Sequence, residues 1–203
     1  MSTAPLHPAA HDQPPRNRTT DERRAWTGPA VLGAGFRPFF LCAGLWAALA
    51  MLLWLPMITG RLDLPSRMAP VDWHVHALLY GYVPGVLGGF LLTAIPNWTG
   101  RPPVVGWPLA GLVLVWAAGR LAVTGSALLP AGVAAAIDLA FLPLLAAVGL
   151  REILAGRNWR NLPVLGGLLM LAAGNLVFHL DAGSGTAAQG PGARIGLAVT
   201  VFL

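Results

Sequence analysis

The chain has 203 residues, 56% of them hydrophobic and only 10% charged, with a mean hydropathy of +0.65. Soluble domains carry about 25% charged residues and disorder requires low hydropathy with high charge, so neither class describes the bulk of this sequence. The net charge of +5 comes from 13 Arg and no Lys, spaced between apolar runs rather than along one stripe, which excludes a nucleic-acid surface.

Residues 1–36 are rich in Pro, Arg and Thr and show no helical apolar period, so they read as a disordered cytoplasmic tail. They contain no apolar stretch before a small-residue cleavage site and are not a signal peptide. Residues 37–203 read as a transmembrane domain. Within it, residues 39–60, 73–100, 102–119, 121–137 and 161–180 contain no Asp, Glu, Lys or Arg. Roughly 20 apolar residues at about 1.5 Å rise cross the ~30 Å hydrocarbon layer. Helices are expected at about 39–60, 73–95, 106–125, 131–150 and 161–181. The run Ile195–Leu203 opens a sixth that stops partway, since nine residues rise only about 13 Å. The expected fold is all-α: a polytopic transmembrane helix bundle of five full helices plus a truncated sixth, the N-terminal half of a larger protein, with the lipid bilayer as its main partner.

Arginine placement orients it. With the N-terminus in the cytoplasm, the inner segments hold nine Arg (16, 18, 23, 24, 37, 101, 151, 157, 160) and the outer ones three (61, 67, 194). That asymmetry obeys the positive-inside rule, and Trp54, Trp73, Trp98, Trp107 and Trp159 then fall at the two interfaces.

Three histidines lie in or beside apolar segments: His74 and His76 in WHVHALLYGY, and His179 in GNLVFHLDA. All three fall in the outer leaflet, from two helices. Imidazoles at that depth suit a haem or a metal ion; equally, a histidine at a helix end can simply be solvated. On a regular helix His74 and His76 are about 200° apart and cannot face one ion. His74 shares a face with Gly81, Gly85 and Gly89, a spacing that admits either a neighbouring helix or a flat porphyrin. Pro84 can change that phase by kinking the helix. Asn175, one turn before His179, is placed to orient it or to pack against another helix.

Arg120 and Asp138 flank the loop between the third and fourth helices at depths that differ by roughly 3 Å, close enough to form an intramembrane ion pair. The single cysteine, Cys42, excludes a disulfide framework and a c-type haem attachment and reads as a small core residue. No phosphate loop, nucleophile elbow or HExxH motif is present. On these residues alone, a transporter or channel subunit and a structural membrane subunit without cofactor stand beside a haem or metal protein.

Three segments carry a resemblance: GFRPFFLCAGLWAAL at 35–49, WHVHALLYGYVPGVLGGFLLTAIPNWTGRPP at 73–103 and GNLVFHL before Asp181. In this order and spacing the chain resembles the NnrS family, bacterial inner-membrane proteins linked to denitrification and nitric-oxide stress. The resemblance implies haem and copper, a bundle of about twelve helices of which about half is here, and nitric oxide as a partner. Ala77 stands where the family pattern has an acidic residue after the second histidine. Within this resemblance the expected cofactor is a b-type haem in the outer leaflet. Its axial ligands are expected to be His179 and one of His74 or His76, with His74 favoured for its glycine face.

Overall fold

The computed structural model describes residues 26–130 and 132–203, and no strand occurs among them. Six helices form the bundle: α1 Phe36–Ile58, α2 Pro70–Thr99, α3 Trp107–Thr124, α4 Val133–Ala155, α5 Leu162–Asp181 and α6 Pro191–Phe202. Five helical segments are long and apolar enough to cross a membrane, those containing α1 to α5. With 12 residues, α6 rises about 18 Å and is shorter than a span.

Of the tail expected over residues 1–36, residues 1–25 lie outside the described region, while the remainder corrects the boundary. A 3-10 turn covers Ala30–Gly33, Trp26 Nε1 donates to the Pro29 carbonyl, and the Leu32 carbonyl accepts the Gly106 amide. Residues 26–35 are therefore tied to the connection between α2 and α3. The second helix also runs further than the expected 73–95, starting at Pro70 and ending at Thr99. Helix starts follow proline: α2, α3, α5 and α6 each have Pro in the first two positions, where its missing N–H costs no hydrogen bond. At the far end of α2, Gly100 takes φ 66° and returns its amide to the Pro96 carbonyl, a left-handed stop that a side chain would strain.

Two interruptions shape the interior. In α4, Pro143 cannot donate to the Leu139 carbonyl, and the helix breaks at Ala140 between Val133–Leu139 and Phe141–Ala155. In α2, Pro84 likewise leaves the Tyr80 carbonyl without its usual amide. The chain answers with a π-helical turn over Ala77–Tyr82, in which the Val83 amide reaches back to Leu78. Carbonyls freed in such a turn have no water to bond inside a bilayer and need protein donors. Three side chains supply them: Trp46 Nε1 to Ala77 at 2.9 Å, Arg120 Nη1 to Tyr80 at 2.8 Å, and Trp116 Nε1 to Gly81 at 2.9 Å. The proline thus seats an arginine and two indoles from α1 and α3 against α2.

The glycine face of α2 is the seam with α1 and α3. A Cβ at Gly81 would meet Trp46 and Arg120, one at Gly85 would meet Ala43 and Trp116, and one at Gly89 would meet Phe39 and Phe40. Small residues there let the backbones approach, which is the main source of helix association in lipid. The outward faces carry Leu41, Leu45, Leu52, Leu121 and Leu180, all exposed, as apolar surroundings would favour.

A buried histidine–aspartate–histidine cluster

At the end of the bundle that holds the 59–69, 125–132 and 182–190 connections, three spans bring polar side chains together. Between Trp73 and Arg151 the sequence has one acidic residue, Asp138, in the first half of α4. It is 3% exposed, and its carboxylate is the hub of the cluster. One oxygen, Oδ1, accepts Arg120 Nη2 from α3. The other, Oδ2, accepts Asn175 Nδ2 at 2.9 Å and lies 2.9 Å from His179 Nε2 and 3.2 Å from His76 Nε2. His76, 1% exposed, also has its Nε2 3.0 Å from Asn175 Oδ1. Four helices therefore contribute: His76 from α2, Arg120 from α3, Asp138 from α4, and Asn175 and His179 from α5.

The surroundings hold these groups in place. Arg120 is fixed on its other side by the Tyr80 carbonyl of the π turn. The His76 ring lies 5.6 Å from Tyr80 and 5.4 Å from Phe178, centroid to centroid. Tyr80 donates to the Gly192 carbonyl of α6 at 2.6 Å. Its hydroxyl occupies space that a Cβ at Gly174 or Gly196 would enter, at 2.7 and 2.5 Å respectively. The aromatic wall thus depends on glycines from α5 and α6.

His74 is elsewhere. Its ring stacks on Trp54 of α1 at 4.2 Å and 19°, and its Nδ1 is buried without a partner. The glycine face that it shares is the seam with α1 and α3, which corrects the choice of His74 as the partner of His179. His76 takes that position, and Asn175 touches His76 and Asp138 rather than His179.

Two cofactor geometries can be tested against this arrangement. Axial ligation of a haem by His76 and His179 needs a flat slot between the two imidazoles. Here Asp138 Oδ2 sits against both Nε2 atoms, and the rings are 5.0 Å apart. The glycines that could have lined a porphyrin are filled by Trp46, Trp116 and Phe39. The described residues do not fit a haem between these histidines.

The same donor atoms form a group that could hold a single metal ion. Nitrogen and oxygen ligands at about 2.0–2.2 Å from an ion, at angles of 90–110°, stand roughly 2.9–3.5 Å apart. The two contacts of Asp138 Oδ2 with the histidines fall in that interval, and one donor atom from each of His76, Asp138 and His179 lies within 4.8 Å of the others. Asn175 Oδ1 is a fourth donor atom, 3.0 Å from His76 Nε2. Two imidazoles with oxygen donors suit copper, iron or zinc rather than magnesium or calcium.

The molecule is thus a multi-pass helical membrane protein with a buried His–Asp–His cluster on Arg120. A family model described as NnrS protein matches residues 30–203, and the chain belongs to the NnrS family. No curated protein and no solved structure in the comparisons matches it.

Depth counting from the loop brought Arg120 and Asp138 to similar levels, and in the structure their side chains meet. It did not show that the same carboxylate receives both histidines. One signal was present in the sequence: a lone acidic residue in a long uncharged stretch is a functional candidate at membrane depth.

Proposed function

We propose that His76, Asp138 and His179 hold a copper ion within a bacterial inner-membrane protein that acts in denitrification or in the response to nitric oxide. The observation that carries this reading is the placement of Asp138 Oδ2 against both histidine Nε2 atoms, with a spacing suited to one ion. Family membership supports copper as the metal and nitric oxide as the small molecule concerned. Copper supplies one-electron chemistry and binds small inorganic ligands. In this assignment Arg120 holds Asp138 Oδ1 and leaves Oδ2 to the ion, while Asn175 Nδ2 donates to that same Oδ2 and steadies the carboxylate. Arg37, Arg101, Arg151, Arg157 and Arg160 at the opposite end of the bundle support a cytoplasmic N-terminus and a cluster on the periplasmic side.

A second reading rests on a different feature of the same cluster. Asp138 already has Arg120 as its counter-ion, so the network is also able to act as a purely structural lock between α2, α3, α4 and α5. Metal content separates the two. The purified protein, loaded with Cu(II) and passed through a desalting column, is expected to retain about one copper per chain. His76→Ala and His179→Ala are each expected to weaken binding by at least about tenfold, while His74→Ala leaves it unchanged. Equal copper retention in all four proteins would leave the structural lock as the function of the cluster.

A further inference from the structure

A cavity of about 230 Å³ adjoins the cluster on the side of the loops. Its rim is formed by exposed residues, Arg67 and Gly183 among them, and its floor by the buried Met68, Val123 and Ala134 together with His179. His179 therefore faces two ways: Nε2 contacts Asp138 and part of the residue lines the cavity. His76 does not line it and is enclosed by Tyr80, Phe178 and Asn175. The cavity is open to the loop surface, unlike the apolar grooves along Met170 and Phe202 and along Leu112 and Leu144, which lie on the sides of the bundle.

We propose that this cavity is the binding chamber and access route for a small neutral or anionic ligand of the cluster, reaching it past His179. The proposal rests on the metal reading above and names the ligand class and path. Size sets one limit. The space takes several water-sized molecules but is below the usual range for drug-sized ligands, so it suits small species rather than drug-sized ones. Charge sets the other. The guanidinium of Arg67 is fixed at the rim by the carbonyls of Ser126 at 3.1 Å and Leu129 at 2.7 Å. Of the carboxylates at this end, Asp138 is matched by Arg120 and Asp72 Oδ1 accepts the Ala188 amide, and none lines the cavity. Arg67 thus offers a fixed positive charge at the mouth to an anion or to the negative end of a neutral dipole.

Filling the cavity tests the route with two readouts. Ala135, half-buried in its wall, is replaced by Phe; Ala182→Phe serves as a second filling from another helix end. In the metal-free protein, carbethoxylation by diethyl pyrocarbonate is followed by peptide mass spectrometry. His179 is expected to react well ahead of His76, and either filling to slow His179 by about tenfold relative to His74. In the copper-loaded protein, azide is titrated by its charge-transfer absorption. Either filling is expected to weaken azide by at least about tenfold with copper content unchanged. Undiminished His179 labelling in both fillings overturns the route, as does unchanged azide affinity with copper in place. A parent protein that retains no copper removes the metal reading instead, and the labelling then decides the cavity on its own.

Discussion

Asp138→Ala is expected to destabilise the bundle by about 3–5 kcal/mol, the cost of removing one partner from a buried ion pair. The magnitude follows from what remains. Arg120 stays 3% exposed, and its charge is left without an acid. The Tyr80 carbonyl still holds Arg120 by a neutral acceptor, and His76, His179 and Asn175 lose the oxygen that joins them. Because part of the loss comes from the stranded guanidinium, removing it also should recover part of the stability. The double variant Arg120→Met/Asp138→Leu is expected to be about 1–2 kcal/mol more stable than Asp138→Ala yet below the parent, since the buried charge is gone while the Tyr80 carbonyl of the π turn loses its donor. Reversible unfolding in mixed micelles titrated with dodecyl sulfate measures each change. A single variant within about 1 kcal/mol of the parent would show that the pair does not hold the helices together.

Gly192→Ala is expected to cost about 1–3 kcal/mol, although it adds one methyl group. A Cβ there would stand 2.5 Å from the Phe178 amide nitrogen, 2.7 Å from its Cα and 3.0 Å from the Gly174 carbonyl oxygen. All three are backbone atoms of α5, so no side-chain rotation relieves the contact, and α6 must move away. That movement also lengthens the Tyr80–Gly192 hydrogen bond and loosens Phe178 beside His76. Gly44→Ala is the matched control. Its Cβ meets nothing within 4 Å on the exposed face of α1, and it should be neutral or stabilise by up to about 1 kcal/mol. The same unfolding titration applies, and equal effects at the two glycines would contradict the close approach of α5 and α6.

The fold was legible because the bilayer imposes one rule on every segment. Uncharged runs between arginines marked the five spans, and their helical form follows from the need to satisfy each backbone group internally. The ends were less legible: Pro70 and Pro191 start α2 and α6 earlier than hydropathy alone suggested, because Pro is favoured in a first turn. The site was legible in part. Its residues stood out as ionisable groups at membrane depth, but which groups meet depends on the faces of five helices at once. For α2, the glycine face looked the same from sequence whether it received a helix or a cofactor; the bulk of Trp46, Trp54 and Phe39 on α1 settled that. For Asn175, spacing gave the neighbour on its own helix, His179, whereas its bonds cross to α2 and α4. Pro84 announced a kink, but the π turn and the three donors that it recruits depend on side chains from α1 and α3.

Counting the imidazoles bound to the metal tests the central claim most directly. Pulsed electron paramagnetic resonance of the Cu(II)-loaded protein detects the remote ring nitrogen of each coordinating histidine. Two coordinated imidazoles are expected in the parent and in His74→Ala, and one in each of His76→Ala and His179→Ala. A count that His74→Ala lowers, or that neither His76→Ala nor His179→Ala changes, would contradict the assignment of the metal to the cluster around Asp138.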